Sequence, residues 1–431
     1  MKRIRGFLKF NPYLQDPTYT QTTVQLQEAF RQNNIKEDDI TIMSGLIKYP
    51  RSWSGCDLWG YVDDHYQKQF MEDKNIFFLF DASTEGFSTI YDQPWFEVLY
   101  KMADKYDIDP QRILFVSSNM KDNENIIRYN MNQKRDRSIN VFTYLNFEQQ
   151  ILGVSGQNEV FLHDSLPLKK KINRRLKNAK KSTAEKYKDK QYGKIGLSLS
   201  RINRPHRTFS TMDIFNSKYF KDMMVSHAKL KDDVNLSFYM SHQPFANAGT
   251  TIEELKMFKN QLPLIVDTED FNTNHALALH NDLNDSTLFQ IVNETHANDW
   301  QGTSLFYSEK TFRSVYNMQP FVIWGQTGVN KKLADYGYKT YEDWFDLSFD
   351  EIKDPAKRWR ALWSECCKQI DHIRNMDTVE QQIQWKFKNE AVLKHNFTTL
   401  CNGKYTKDTF KQMALTMRNI ADEKTINTPH T

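Results

Sequence analysis

The chain has 431 residues, 39% hydrophobic and 26% charged, with a formal net charge of +4. That is longer than the ~250–300 residues at which a single core stops growing, so two domains are expected. No apolar run approaches the ~20 residues that cross a bilayer, and the basic N-terminus lacks a signal-peptide core. The four cysteines, Cys56, Cys366, Cys367 and Cys401, include no Cys-x-x-Cys pair, so a disulfide framework or zinc ribbon is not expected and a cytoplasmic location is.

Taken from the N-terminus, Ile4–Phe10 reads as a strand, Thr23–Gln32 as a helix and Asp39–Leu46 as a second strand. Trp53, Trp59, Tyr61 and Tyr66, interrupted by Gly55 and Gly60, read as a loop. Its rings either anchor it to the core or stack on sugar or base rings. Asn75–Asp81 is a continuous apolar run of strand length, followed by a helix over Pro94–Tyr106 and a strand over Arg112–Ser117. A helix over Asn123–Gln133 and a strand over Ile139–Leu145 complete the series. Strands of this type alternating with helices predict a parallel sheet covered on both faces. Residues 1–168 are therefore expected to form an N-terminal Rossmann-like domain.

Between Lys169 and Lys194 the composition shifts: twelve Lys or Arg stand against Glu185 and Asp189. Residues 169–193 read either as a solvated helix or linker, or as a contact surface for a polyanion, since clustered cations release counterions from phosphate backbones. Tyr187 and Tyr192 are the only aromatics there, so backbone attraction is expected and base reading is not. The nucleic-acid contacts would be Lys169, Lys170, Lys171, Arg174, Arg175, Lys177, Lys180 and Lys181.

A second α/β domain is expected over residues 194–345. Lys194–Ser200 reads as a strand with Arg201, Arg204 and Arg207 beyond its end. Guanidinium forks suit a pyrophosphate there, although such arginines also pair with surface acids. Asp222–Ser226, Val234–Met240 and Leu262–Val266 read as strands, Thr251–Asn260 and Asn272–His280 as helices, and Asp285–Glu294 as a strand. The polar tetrad Ser308-Glu309-Lys310-Thr311 then opens a helix running to Met318, before Pro320 and the apolar run Phe321–Trp324. Gly325, Gly328 and Gly337 punctuate the stretch after that run. Ser308 ahead of an acidic residue suits a helix cap with a phosphate nearby. Residues 346–431 read as helical, with helices over Pro355–Met376 and Val379–Leu393 and a frayed end.

Ser308-Glu309-Lys310-Thr311-Phe312, followed by Gln319-Pro320-Phe321-Val322, resembles the "TEK…PF" donor motif of GT-B glycosyltransferases. The likeness is to phage- and virus-encoded members and, more distantly, to α-1,3-fucosyltransferases. Serine at 308 departs from the usual threonine but keeps the hydroxyl. Leu197-Ser198-Leu199-Ser200-Arg201 with Arg204-Pro205-His206-Arg207 resembles the "LNR…PHR" segment, and Asp81–Gly86 resembles the acidic turn of the acceptor domain. The resemblance covers roughly residues 75–345. It implies two Rossmann-like domains facing across a cleft, braced by the C-terminal helices. It also implies transfer of a sugar from a nucleotide diphosphate sugar to an acceptor hydroxyl, in the phage setting a hydroxymethylated pyrimidine in double-stranded DNA, hence DNA modification. A surface glycan or other non-DNA acceptor, or a catalytically inactive nucleic-acid-binding protein of the same fold, are the alternatives.

Sugar transfer needs cations or N–H dipoles on the departing diphosphate, an acceptor for the ribose hydroxyls and a base for the attacking hydroxyl. Lys310, Arg201 and Arg207 suit the first, with Ser308 and Thr311 beside them, and Glu309 suits the ribose. Glu85 is the candidate base and Asp81 the second choice, while Glu294 could serve donor or acceptor. Asp267-Thr268-Glu269 mimics an Asp-x-Asp manganese motif, and His206 and His242 are isolated. No metal or other cofactor is expected. Neither a Walker sequence nor Gly-x-Gly-x-x-Gly occurs, which argues against a P-loop kinase or dinucleotide dehydrogenase.

Overall fold

The computed structural model describes residues 1–4, 14–15, 21–37, 39–47, 57–157, 167–188, 193–200, 202–230, 235–266 and 281–426. Arg201, Trp53, Asp267-Thr268-Glu269, the helix expected at Asn272–His280 and most of the first expected strand lie outside the described residues. The chain forms two compact units that are not sequential. The first comprises Met1–Asn146, Asp299–Phe306 and Lys404–Thr431, the second Phe147–Asn298 and Tyr307–Gly403. Both are α/β with parallel sheets, the class the alternation predicted. Among the described residues no helix is long and apolar enough to cross a membrane.

In the first unit, β1 (Lys2–Ile4), β2 (Leu14–Gln15), α1 (Gln21–Gln32), β3 (Thr41–Ile47), α2 (Asp64–Glu72) and β4 (Ile76–Ala82) lead to α3 (Trp95–Tyr106). Then follow β5 (Ile113–Ser117), α4 (Asp122–Gln133) and β6 (Asn140–Thr143). The sheet order is β1-β3-β4-β5-β6, all parallel, with β2 antiparallel beside β3. Every residue of β4 is buried, because successive side chains of a central parallel strand point into opposite cores. Phe78 and Phe80 join Phe70, Trp95, Phe96 and Leu99. Phe77 and Leu79 join Leu26, Phe30 and, from the C-terminal helix Lys404–Ile426, Phe410, Met413 and Met417.

The aromatic stretch expected as a loop instead holds a 3-10 turn, Trp59–Tyr61, and α2. Asp63 caps α2 by accepting from the His65 N–H at 3.0 Å. Trp59 is 2% exposed and packs on Phe70 and Phe78, the core-anchoring alternative.

The second unit runs through α5 (Asn146–Gln157), α6 (Leu168–Tyr187), β7 (Lys194–Ser200), α7 (Pro205–Phe215), β8 (Met223–His227), α8 (Leu236–Ser241) and α9 (Ile252–Lys259). It continues with α10 (Asn281–Asp285), β9 (Thr287–Asn293), α11 (Glu309–Tyr316), β10 (Phe321–Trp324), α12 (Pro355–Arg374), α13 (Val379–Lys386) and α14 (Glu390–Asn402), before α15 (Lys404–Ile426). Its sheet is β10-β9-β7-β8, parallel throughout.

Three expectations are corrected here. Val234–Met240 was expected as a strand, but Asn235 accepts from the Ser237 and Phe238 N–H groups and starts α8 instead. Leu262–Val266 supplies one antiparallel bridge, Leu264 to His227, and no strand; Pro263 has no N–H for a ladder. The helix expected over Val379–Leu393 is two, with Asn389 capping the second by accepting from Val392 N–H at 3.3 Å.

Candidate anion-binding site

At the C-terminal ends of β7 and β9, two helices begin: α7 after Arg204 and α11 after Ser308. Crevices at such strand ends take ligands, because helix N-termini there leave backbone N–H groups without intrahelical partners. Glu294, one residue beyond β9, joins the two helix starts. Its N–H extends the ladder to Trp324 O at 2.9 Å. Its Oε1 accepts from the Ser308 N–H at 3.0 Å and the Thr311 hydroxyl at 2.6 Å, and its Oε2 from the Thr295 N–H at 3.0 Å. Its carbonyl meets His206 Nε2 at 3.0 Å and accepts from Arg207 Nε at 3.1 Å and Nη2 at 3.0 Å. The structure thus gathers Glu294, Arg207, Ser308 and Thr311, four of the expected donor-binding residues. Glu294, Arg207 and Thr311 are nearly or wholly buried and engage the frame of the site. His206 is also buried, and burial together with the adjacent Arg207 guanidinium holds its imidazole well below its ordinary value. It is a neutral structural histidine.

Glu309 and Lys310 lie on the first turn of α11. Lys310 Nζ donates to Glu309 Oε1 at 2.6 Å and to Ser308 Oγ at 3.2 Å. The two side chains are 17% exposed for Lys310 and 11% for Glu309. Burial lowers the Lys310 ammonium below the usual lysine range, and nearby Arg207 adds to it. Burial alone would raise Glu309, but the Lys310 charge and hydrogen bond outweigh it and its carboxyl sits below the usual range. A cation on the first turn of a helix opposes the helix dipole. For stability alone this is a poor place for a lysine, and an anion bound there would relieve both costs. Ser200 Oγ, on the last residue of β7, and Asn203 Oδ1, in the turn after it, are buried without a hydrogen-bond partner among the described residues.

The two candidate bases lie in the first unit. Asp81, 2% exposed in β4, accepts from Ser83 N–H at 3.0 Å and Ser83 Oγ at 2.6 Å. Burial raises its carboxyl, against the opposing Ser83 and Thr22 hydrogen bonds. The same network runs through Tyr144 to Thr22, Ser83 and Asn146, so Asp81 holds the turn. Glu85 is half-buried in that turn. Gly86 closes it, because a Cβ there would run into the Phe306 side chain.

The basic residues lie on α6, whose inward face is Ile172, Leu176, Ala179 and Thr183. Arg175 donates to Asn317 Oδ1 at 2.9 Å and Lys180 pairs with Glu390. Lys171 is half-buried, and Lys169 is exposed. Lys170, Arg174, Lys177 and Lys181 are exposed, and their steps of four, three and four residues put them on one stripe. His242 is exposed, its Nδ1 2.6 Å from Phe238 O. Among the described residues no group of three His, Cys, Asp or Glu could hold a metal ion.

The sequence reading missed one polar centre, at the end of β5. Asp122 is fully buried, and its Oδ1 accepts from Thr89 Oγ1 at 2.7 Å, Asn119 Nδ2 at 2.8 Å and Asn125 Nδ2 at 2.9 Å. The polar run Ser117-Ser118-Asn119 straight after an apolar strand was the available signal. No protein-family model, curated protein or solved structure matches this chain.

Proposed function

We propose that the chain is a glycosyltransferase of the GT-B type, moving a sugar from a nucleotide diphosphate sugar to an acceptor hydroxyl. The observation that carries this reading is Lys310, a largely buried ammonium on the first turn of α11 beside the carboxylate of Glu309. A diphosphate would take the lysine at the positive end of the α11 dipole, and Glu309 would accept from the ribose hydroxyls. Charge then builds on the departing diphosphate where fixed dipoles and a cation already stand. Glu85, in the first unit, is the residue proposed to take the proton of the acceptor hydroxyl, and no metal is assigned a role.

The test is thermal unfolding of the full chain with and without UDP or GDP. A ligand that binds only the folded state raises the melting point, by an amount equivalent to about 2.7 kcal/mol at a hundredfold excess over Kd. The expected result is a rise with one of the two nucleotides, lost in Lys310→Ala and reduced in Glu309→Ala. No rise with either nucleotide would overturn the reading.

The acceptor proposed is a hydroxymethylated pyrimidine in duplex DNA, and the exposed stripe on α6 supports it. Its four cations extend along about 16 Å of helix and suit a phosphate backbone, while the base would be flipped out for reaction. On this reading the protein acts in the cytoplasm of a phage-infected cell. Transfer only to a glycan would favour a non-DNA acceptor. DNA binding with no nucleotide response would favour a binding protein without turnover.

A further inference from the structure

Arg358, on the first turn of α12, is 2% exposed, and its guanidinium is turned onto the loops that follow β9 and β10. Nη2 donates both to Ala297 O at 2.7 Å and to Gly325 O at 3.0 Å, and Nε donates to Gly325 O at 3.2 Å. Nη1 donates to Thr327 Oγ1 at 3.0 Å, to Lys353 O at 3.1 Å and to Ile352 O. One nitrogen therefore joins the loop after β9 to the loop after β10, and the rest of the fork ties both to the start of α12. A planar fork of five N–H donors can span such a set, whereas a lysine is a point charge on a flexible stem. All of these residues belong to the second unit.

Glu294 stands at the same two strand ends. Its N–H pairs with the carbonyl of Trp324, the neighbour of Gly325, and a Cβ on Gly325 would lie 3.2 Å from Glu294 Cβ. Trp324, its ring 5.6 Å from the Arg358 guanidinium, also donates from Nε1 to His206 O at 3.2 Å, in the first turn of α7. The Glu294 carboxylate in turn holds the Ser308 N–H and the Thr311 hydroxyl, which frame Lys310. We infer, on the nucleotide-binding reading above, that Arg358 is a positioning residue for the anion site at Lys310, acting through the ends of β9 and β10 that it ties together beside Glu294. Arg358 acts at one remove: it fixes where the Glu294 carboxylate stands, and with it the start of α11. Groups at such a site must be placed to about 0.5 Å, and each step from the guanidinium to Ser308 is a hydrogen bond or a close Cβ contact inside one unit.

Two substitutions perturb the tie differently. Arg358→Lys keeps the charge and loses the fork, whereas Gly325→Ala removes no polar group and pushes on Glu294. Ile370→Ala, a buried position at the far end of α12, serves as a control that destabilises the same helix. Titration calorimetry of the full chain with UDP and GDP would compare these with wild type and Lys310→Ala, with hydrogen exchange followed at residues 308–310. Arg358→Lys and Gly325→Ala are each expected to bind the nucleotide about five- to twentyfold more weakly well below their own melting points, and to exchange faster at Ser308–Lys310. Ile370→Ala should lower the melting point and leave the affinity of the folded protein unchanged. Wild-type affinity in Arg358→Lys or in Gly325→Ala, with binding lost in Lys310→Ala, would overturn the inference and leave the site reading intact. An equal loss of affinity in Ile370→Ala would overturn it too, since the effect would then be general loosening. If wild type binds neither nucleotide, the site reading fails and exchange decides the tie on its own: unchanged exchange at Ser308–Lys310 in both variants would overturn it.

Discussion

Asp122 is a carboxylate without a cation. Thr89, Asn119, Asn125 and Ser117 donate toward it, all neutral, and burial outweighs them to push the group up to about 7. An unfolded chain returns it to an ordinary ~3.9. Between about pH 4 and 7 the folded state therefore holds more protons than the unfolded one, and the Asp122 contribution to stability falls as pH rises through that window. Urea unfolding of wild type and Asp122→Asn at pH 5 and pH 7.5 checks the sign. The variant should gain roughly 2–3 kcal/mol relative to wild type across the interval, and a constant difference would refute the assignment. Asn119 and Asn125 are local partners and the polar run Ser117-Ser118-Asn119 marks the place, but Thr89 reaches Asp122 only once the sheet is assembled, so the full centre is not written in the spacing. Lys310 and Glu309 were legible because adjacent residues at a helix start need no tertiary information. The work of Glu294, which joins two helix starts, was not.

At the scale of the element, α6 is divided by its own periodicity. Residues 172, 176, 179 and 183 turn inward, Arg175 and Lys180 are engaged with Asn317 and Glu390, and the stripe Lys170, Arg174, Lys177 and Lys181 remains outward. Counting charges in the sequence predicted a basic segment but could not separate these classes. If the stripe contacts phosphates, each member substituted by Gln should flatten the dependence of log K on log salt by about 1. Arg175→Gln should instead cost stability and leave the salt slope nearly unchanged. Fluorescence anisotropy with a duplex from about 50 to 200 mM salt separates them. The strands β4, β5, β7, β9 and β10 were legible because both of their faces are buried, which writes a continuous apolar run. The helices α2 and α8 were missed because the side-chain caps Asp63 and Asn235 decide them, and aromatic or β-branched content argued the other way.

The whole molecule departs furthest from what a linear reading can foresee. Periodicity locates elements but carries nothing about which sheet a distant helix will cover. Hence the assignment of Asp299–Phe306 and α15 to the first unit had no counterpart in the sequence pattern. The clearest case is α15, where Phe410, Met413, Ala414 and Met417, each at most 1% exposed, complete the core against α1, β3 and β4. Each large side chain contributes about 1.5–3 kcal/mol of burial. A chain stopped at Gly403 should therefore lose several kcal/mol from the first unit. Limited proteolysis should cut within residues 21–47 while the second-unit sheet stays protected; equal protection in both would refute this.

That helix also sets a timetable for biosynthesis. As the chain leaves the ribosome, the first sheet emerges with one apolar flank covered only by α1, and about 260 further residues must be translated before α15 completes the cover. At the usual elongation speed of about 5–20 residues per second, the wait is tens of seconds or less. Through that interval Phe77, Leu79 and Val116 offer a greasy surface to whatever is nearby, so the nascent protein is a natural client for a chaperone until its final helix arrives.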